Sequence, residues 1–170
     1  MAIPCYMAAT VRFTPDNNTT DLFCIGGSNS RTIRLLRLIL SGTQTTAGNT
    51  HRVSLIKRST ANTGTTVGAT AVPLDSASPA ATAQVHHYTT NPSALGTGVG
   101  TIWNPQVLIP APASVLPGSG AAIFEFFPGE DLWLPTPVLR GNTEFICINL
   151  GGTRPSGAAN FQITALWSEE

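Results

Sequence analysis

The chain has 170 residues and no net charge, because nine basic residues balance nine acidic ones. This length fits a single domain that can bury its own core. Charged residues make up only 11% of the chain, far below the roughly 25% of an average soluble protein. Zero net charge argues against non-specific nucleic-acid binding, and no run approaches the roughly 18 apolar residues of a membrane helix. We therefore expect no nucleic-acid or membrane partner, and an uncharged polar surface suited to contact with other proteins.

The chain begins MAIPCYMAATVRF, which lacks the basic and apolar regions of a secretory signal. We therefore expect synthesis in the cytoplasm without a signal peptide. The three cysteines form an odd number without CxxC spacing, which argues against zinc and against a disulfide framework. Cys24 and Cys147 lie within apolar runs and are interpreted as small buried hydrophobic residues. Cys5 is the candidate for an intermolecular disulfide, with an inert thiol as the alternative.

Short apolar or alternating segments, separated by turns rich in Gly, Pro, Asn and Ser, predict strands along the whole chain. In chain order, the predicted strands cover residues 7–14, 21–25, 31–40, 51–59, 81–90, 101–109, 121–127, 143–150 and 159–170. The stretch 59–80 has no apolar periodicity and is predicted as an extended surface loop or an edge hairpin. We divide the chain into an N-terminal arm, residues 1–10, and one domain, residues 11–170.

The segment RTIRLLRLIL, residues 31–40, fits two structures. Its arginines, Arg31, Arg34 and Arg37, recur every three residues, and Ser30 could cap a helix. In a regular strand, Arg37 would share a face with apolar residues. Since every neighbouring element is predicted as a strand, we predict a strand here as well.

The last strand alternates, with Phe161, Ile163, Ala165 and Trp167 on one face, and only Leu166 breaks the pattern. The segment TEFICINL, residues 143–150, is apolar on both faces, as in a central strand of a sandwich. The many short strands without crossover helices predict an all-β fold, an antiparallel β-sandwich of jelly-roll or Greek-key type.

Residues that could support catalysis are few. His86 and His87 are adjacent on a predicted strand, so their side chains point to opposite faces and cannot share a metal ion without a bulge. No nucleophile motif such as GxSxG is present. The mid-chain acids that could form a glycosidase pair are Glu125, Glu130, Asp131 and Glu144. We therefore expect no enzyme activity, no catalytic residue, no metal and no cofactor.

Several stretches together resemble small structural proteins of tailed phages: RTIRLLRLILSGTQTTAG, HRVSLIKRSTANTGTT, VPLDSASPAATAQVHHYTTNPSALGTGVG, PVLRGNTEFICINLGG and ITALWSEE. The resemblance spans roughly residues 31–170. It implies a capsid decoration, or cement, subunit that binds the assembled head lattice and stabilises it. Its partners would be the major capsid protein and copies of itself, as a homotrimer or a dimer, on the outer capsid surface of the virion. The alternative is a tail-fibre or baseplate module that binds a receptor or carbohydrate.

Two groups of residues are predicted to contact the capsid or a neighbouring subunit. The first group is Ile3, Pro4 and Tyr6 in the N-terminal arm. The second is Arg31, Arg34 and Arg37, whose guanidinium groups would meet acidic groups on a partner, with a solvated strand face as the alternative. For the carbohydrate-binding alternative, Trp103 is the predicted stacking residue, whereas Trp133 and Trp167 are predicted to belong to the core.

Overall fold

The computed structural model describes residues 3–44, 49–111, 122–126, 135–155 and 159–170. In these residues the fold is entirely β, and every strand pair is antiparallel. The all-β antiparallel prediction is confirmed. Within this part of the chain there is no apolar helix long enough to cross a membrane.

The strands form three sheets, and their bounds are as follows. Sheet A contains β1 (Cys5–Ala9), β3 (Ile33–Thr43), β7 (Ala71–Pro73), β11 (Ala122–Phe126), β12 (Val138–Leu139) and β14 (Asn160–Glu169). Sheet B contains β2 (Asp21–Gly26), β5 (Ser54–Arg58), β6 (Val67–Gly68), β8 (Gln84–His87), β9 (Gly98–Trp103) and β13 (Phe145–Asn149). The small sheet C contains β4 (Asn49–Arg52) and β10 (Gln106–Ile109).

Sheets A and B share one hydrophobic core. The spatial order of sheet A is β11-β3-β14-β1-β7, with β12 also beside β3, and that of sheet B is β6-β8-β2-β13-β5-β9. Alternate residues of both sheets point into a single apolar cluster, for example Leu38 and Ile163 from sheet A and Phe23 and Ile146 from sheet B. Trp167 is completely buried in it, as predicted. The two sheets therefore form the two layers of a sandwich.

The longest pairing joins β3 to β14, and it contains a bulge that resolves the ambiguity of residues 31–40. Leu166 lies opposite Arg37 and Trp167 lies opposite Leu35, so Leu36 is an extra residue in β3. Such a bulge shifts the in-out alternation by one residue. As a result, Leu35 and Leu38 are both buried while Arg34 and Arg37 are both partly exposed. The three-residue spacing of these arginines thus belongs to a bulged strand, and the strand prediction is confirmed.

Two predicted strands are each split in two by a change of sheet. Residues 51–59 contain the end of β4 and all of β5, which separate at Val53, and residues 101–109 contain the end of β9 and all of β10, which separate at Asn104 and Pro105. The break points lie side by side, because Val53 N donates to Pro105 O at 3.1 Å and Ser54 Oγ donates to Asn104 Oδ1 at 2.7 Å. The result is one bent ribbon that passes from sheet B into sheet C.

The stretch 59–80 forms neither a plain loop nor a single hairpin. It contains two very short strands: β6 pairs with β8 at one edge of sheet B, and β7 pairs with β1 at one edge of sheet A. This stretch is polar, contains Pro and has few buried residues, which does not suit a strand in the centre of a sheet. Each of its two strands therefore lies at the edge of a sheet.

The buried carboxylate of Glu169 fastens the segment after β7 to the end of β14. It accepts hydrogen bonds from Thr82 N, Thr82 Oγ1, Ala83 N and Trp167 Nε1, at 2.7 to 3.1 Å. Because a carboxylate has several lone pairs, it can satisfy all these donors at once. The charge is thus stabilised by hydrogen bonds to N–H and O–H groups.

Glu169→Ala is expected to lower the free energy of unfolding by about 3 kcal/mol, since it leaves the buried Trp167 Nε1 and the partly buried donors of Thr82 and Ala83 without an acceptor. Chemical denaturation measures this loss. The matched control is Glu170→Ala, which removes the same charge from the next residue, where the side chain is partly exposed and bound to Arg34. We expect a clearly smaller loss for the control, and equal losses would contradict the proposed clamp.

Candidate contact surface and buried polar cluster

The predicted N-terminal arm is mostly a strand. Residues Cys5–Ala9 form β1, which lies between β14 and β7 in sheet A. Tyr6 is completely buried, its hydroxyl donates to Pro79 O at 2.9 Å, and its ring stacks on Trp167. The prediction that Tyr6 contacts a partner is therefore wrong, because its side chain is part of the core. Pro4 is half-buried, and its carbonyl accepts from Glu169 N at 3.0 Å.

Two of the three predicted contact arginines are paired within the chain. Arg34 forms a two-pronged ion pair with Glu170, with N···O distances of 2.7 and 3.1 Å, and Arg37 pairs with Glu125. These acids stand beside β3 because β14 and β11 are its neighbours in sheet A. Of the three, only Arg31 forms no ion pair in the described part of the chain, and it is exposed. That these arginines contact acidic groups on a partner stays a prediction.

The outward side of the N-terminal strand is apolar. From residue 3 to residue 11 burial alternates strictly after Pro4, and Tyr6, Ala8 and Thr10 point inward. The outward residues are Ile3, Cys5, Met7, Ala9 and Val11. In an antiparallel sheet with one face in solvent, the outward positions are normally polar. This row carries no charge and no hydrogen-bonding group other than the Cys5 thiol.

Neighbouring strands widen the row into what we call the apolar stripe. Met7 lies opposite Val72 of β7 on one side and half-buried Leu166 of β14 on the other. The large apolar side chains of the stripe and their exposed fractions are Ile3 56%, Met7 37%, Val11 69%, Val72 57% and Leu74 58%. Leu166, which breaks the alternation of the last strand, extends this surface. Contiguous exposed apolar residues mark interaction surfaces.

A buried polar cluster covers the opposite side of the molecule, on the outer face of sheet B. The Asp21 carboxylate accepts two hydrogen bonds from Arg58, at 2.5 and 2.9 Å, one from Asn62 at 2.8 Å and one from Asn149 at 2.6 Å. Arg58 also donates to Gly96 O at 2.8 Å. Asp21 therefore has a structural role, because hydrogen bonds from Arg58, Asn62 and Asn149 occupy the lone pairs of its carboxylate.

Beside this cluster, Cys24 and Cys147 form a disulfide. They lie directly opposite each other on β2 and β13, with their Cα atoms 4.1 Å apart, although 123 residues separate them in sequence. Their predicted burial is confirmed, but the expectation that they are unlinked is wrong. Asp21 lies close to both sulfur atoms. However, the sulfurs are bonded to each other and Asp21 is neutralised by Arg58, so this trio has no ligand atoms left for a metal ion.

The adjacent histidines point to opposite faces of sheet B, as predicted. His86 faces outward, where its Nε2 lies 3.1 Å from the Tyr88 hydroxyl. His87 faces the core, is 1% exposed, and stacks on Phe13 with a centroid distance of 4.2 Å. Neither ring nitrogen of His87 makes a well-formed hydrogen bond in the described part of the chain. The nearby Val67 backbone raises the pKa of His87 and so opposes part of the lowering that burial causes. Burial lowers the pKa of both histidines, and the neighbouring His87 lowers that of His86 further.

The remaining candidate residues are held by other contacts. Glu125 is paired with Arg37, and Glu144 is paired with Lys57 at 3.1 Å. Trp103 is half-buried, and its ring meets the Phe126 ring edge-on at 5.8 Å, so this ring is partly occupied by packing. Glu130, Asp131 and Trp133 lie outside the described residues.

Thiol labelling tests the disulfide. In the native oxidised protein we expect Cys5 alone to react, and three cysteines to react after reduction in denaturant. Reduction, or the double change Cys24→Ser with Cys147→Ser, should lower the free energy of unfolding by about 2–4 kcal/mol, because the cross-link restricts the unfolded chain. Cys5→Ser is the control and should leave stability unchanged. Three reactive thiols in the oxidised protein would contradict the bond.

The buried histidines predict acid sensitivity. In the unfolded chain histidines titrate near about 6.5, whereas their pKa in the folded protein is lowered. The unfolded state therefore binds more protons as the pH falls below that value, so the free energy of unfolding decreases with falling pH. Urea denaturation between pH 7.5 and 5.5 measures this decrease. His87→Phe, which keeps an aromatic ring beside Phe13, should reduce the pH dependence, and an unchanged pH dependence would contradict the assignment to His87.

Comparisons with known proteins assign no family to the chain. No protein-family model matches it, and no curated protein or solved structure matches it either. The resemblance to phage structural proteins, and the functions that it implies, therefore stay predictions.

Proposed function

We propose that the chain is a non-enzymatic structural protein of a virus particle, a decoration subunit that binds the outer surface of an assembled capsid and stabilises it. Its partners in this proposal are the major capsid protein and copies of itself, as a homotrimer or a dimer. The jelly-roll or Greek-key type of sandwich predicted from sequence belongs to the same proposal. The sequence resemblance suggests the virus, and the apolar stripe supports a role in binding proteins.

The apolar stripe is the observation that carries the proposal. Complete burial of a Val, Leu, Ile or Met side chain contributes about 1.5–3 kcal/mol. Since the side chains of the stripe are already partly buried, each would add only about 1 kcal/mol on contact with a partner. One such contact per subunit is weak, but a lattice presents many equivalent sites. Contacts between neighbouring copies would then add avidity without new kinds of interaction.

The charge distribution around the stripe supports protein binding in the same way. Arg37, which lies opposite Leu166 at one side of the stripe, is neutralised by Glu125. Contact with a partner at this side of the stripe therefore does not bury an unpaired charge, which would be costly.

The disulfide fits a protein that works outside the cell. Disulfides form and persist in oxidising surroundings and are rare in the cytoplasm. In the proposal, the chain folds in the cytoplasm with both thiols reduced and acquires the bond after release. Both cysteines are buried at adjacent positions of paired strands, so the bond needs no rearrangement of the sheet.

Co-sedimentation with phage heads, with electron microscopy of the pellet, tests the proposal. We expect saturable binding at regular lattice positions for the unchanged protein. Met7→Glu with Val72→Glu places charges in the stripe and should abolish binding and self-association, the latter measured by analytical ultracentrifugation. Both side chains are exposed, so the fold should survive, as circular dichroism would verify.

The control is Val99→Glu, which introduces one such charge at an exposed apolar residue of sheet B, 61% exposed on β9. It should bind heads like the unchanged protein. Failure of the unchanged protein to bind heads would contradict the decoration role. Label on tail tips alone would favour the receptor-binding alternative.

A further inference from the structure

A polar depression opens at one end of the sandwich, where the β2–β3 connection meets the turn between β12 and β13. Its volume is about 240 Å³. The side chains that line it and that matter here are Ser28, Ser30, Arg31, Thr32, Arg140 and Glu170. We call it the Arg31 pocket.

The walls of the pocket are held by backbone contacts. Gly27 N donates to Glu144 O at 2.8 Å, and Thr32 exchanges two backbone hydrogen bonds with Glu170, both 2.9 Å. A Cβ atom at Gly27 would collide with the carbonyl oxygen of Gly141, so only glycine allows the two connections to approach this closely. Gly141 itself has a φ of 71°, in the region that favours glycine. The pocket is therefore shaped by fixed backbone.

Two guanidinium groups at the rim are available to a ligand. Arg31 and Arg140 are both exposed, and in the described part of the chain neither forms an ion pair. The acidic side chain of the pocket, Glu170, is bound by Arg34 through two hydrogen bonds. Arg34 is the main cause of the lowered pKa of Glu170, and Arg140 contributes through its charge. Among the described residues, the pocket is thus lined by two guanidinium groups and one side-chain carboxylate, and the neighbouring Arg34 binds that carboxylate.

These groups favour an oxygen anion as ligand. Guanidinium groups present forked N–H donors that match carboxylate and phosphate oxygens, and the hydroxyls of Ser30 and Thr32 are further donors. Among the described residues that line the pocket there is no aromatic ring, so these residues offer no surface on which a sugar could stack. The carboxylate of Glu170 repels a doubly charged phosphate more than a singly charged carboxylate.

The pocket adjoins the apolar stripe. Glu170 lines the pocket, and the preceding residue, Glu169, donates its N–H to the carbonyl of Pro4, the neighbour of Ile3. A protein surface that covers the Ile3 end of the stripe would therefore also reach the pocket.

We propose that the Arg31 pocket binds the carboxylate of an acidic side chain on the partner protein, with Arg31 and Arg140 as the ligand-binding residues. This inference rests on the proposed function, because the partner is the protein that covers the stripe. The apolar stripe would supply the apolar area that is buried in the contact, and the pocket would fix the orientation of the partner.

The test is a titration of the isotope-labelled protein with a hexaglutamate peptide, followed by nuclear magnetic resonance of the backbone amides and arginine side chains. We expect saturable shifts at residues 28–32 and 140–141. The double change Arg31→Gln with Arg140→Gln should weaken binding at least about tenfold, a factor that corresponds to about 1.4 kcal/mol. The matched control is Arg52→Gln, which removes an exposed arginine from β4 and should change the affinity less than about twofold.

If Arg52→Gln weakened peptide binding as much as the double change, or if the resonance shifts were spread over all arginines, the peptide would be held by general electrostatic attraction. Either result would overturn the proposed binding site in the pocket. A lower saturating concentration for inorganic phosphate than for the peptide would overturn the choice of a protein carboxylate. The peptide titration does not depend on phage heads, so the two proposals can fail separately. Localised peptide binding without head binding would contradict the decoration role only. Unchanged head binding by the double variant, when the unchanged protein binds heads, would contradict the pocket only.

Discussion

The buried carboxylate of Asp21 joins parts of the chain that are far apart in sequence. It binds Arg58 at the end of β5, Asn149 at the end of β13, and Asn62 in the connection after β5, while Arg58 reaches Gly96. A buried ion pair pays a large desolvation cost, and loss of one partner leaves an uncompensated charge. The arrangement is therefore stable only when all these segments are in place. Every residue of β2 and β13 is buried, so the outer face of sheet B is covered along these two strands.

The two sheets consequently differ in their outer faces. Sheet B has a covered outer face, where Cys24, Cys147, Tyr88 and Phe145 form a second small core. In the part of the chain that the structure describes, the outer face of sheet A has no such cover over β1, and the outward residues of β1 form the apolar stripe. Burial of a half-exposed apolar face against a protein partner is favourable in free energy, and this molecule has few charges overall. The proposed decoration role rests on this difference between the sheets.

In the proposed complex, the apolar stripe and the Arg31 pocket contribute to recognition in different ways. Apolar area is non-directional and gives affinity that accumulates over many copies. Guanidinium groups in a fixed pocket are directional and reject partners without a matching acid. Arg34 and Arg37 differ from Arg31 because they are paired within the chain, with Glu170 and Glu125.

The sequence by itself determined the all-β fold, because turn residues separate short apolar or alternating segments along the chain. It also determined the burial of Trp167, Cys24 and Cys147, because short-range alternation and apolar runs are local properties. Tertiary structure alone decided the cross-strand disulfide, the internal pairing of Arg34 and Arg37, and the Asp21 cluster. Each of these depends on which distant strands become neighbours, as β2 and β13 do. The bulge at Leu36 and the burial of Tyr6 also depend on packing, since strand register and edge position are set by the partner strands. The alternation of β1 is a local property of the sequence, but only the position of β1 in sheet A decided that its outward apolar residues form a surface.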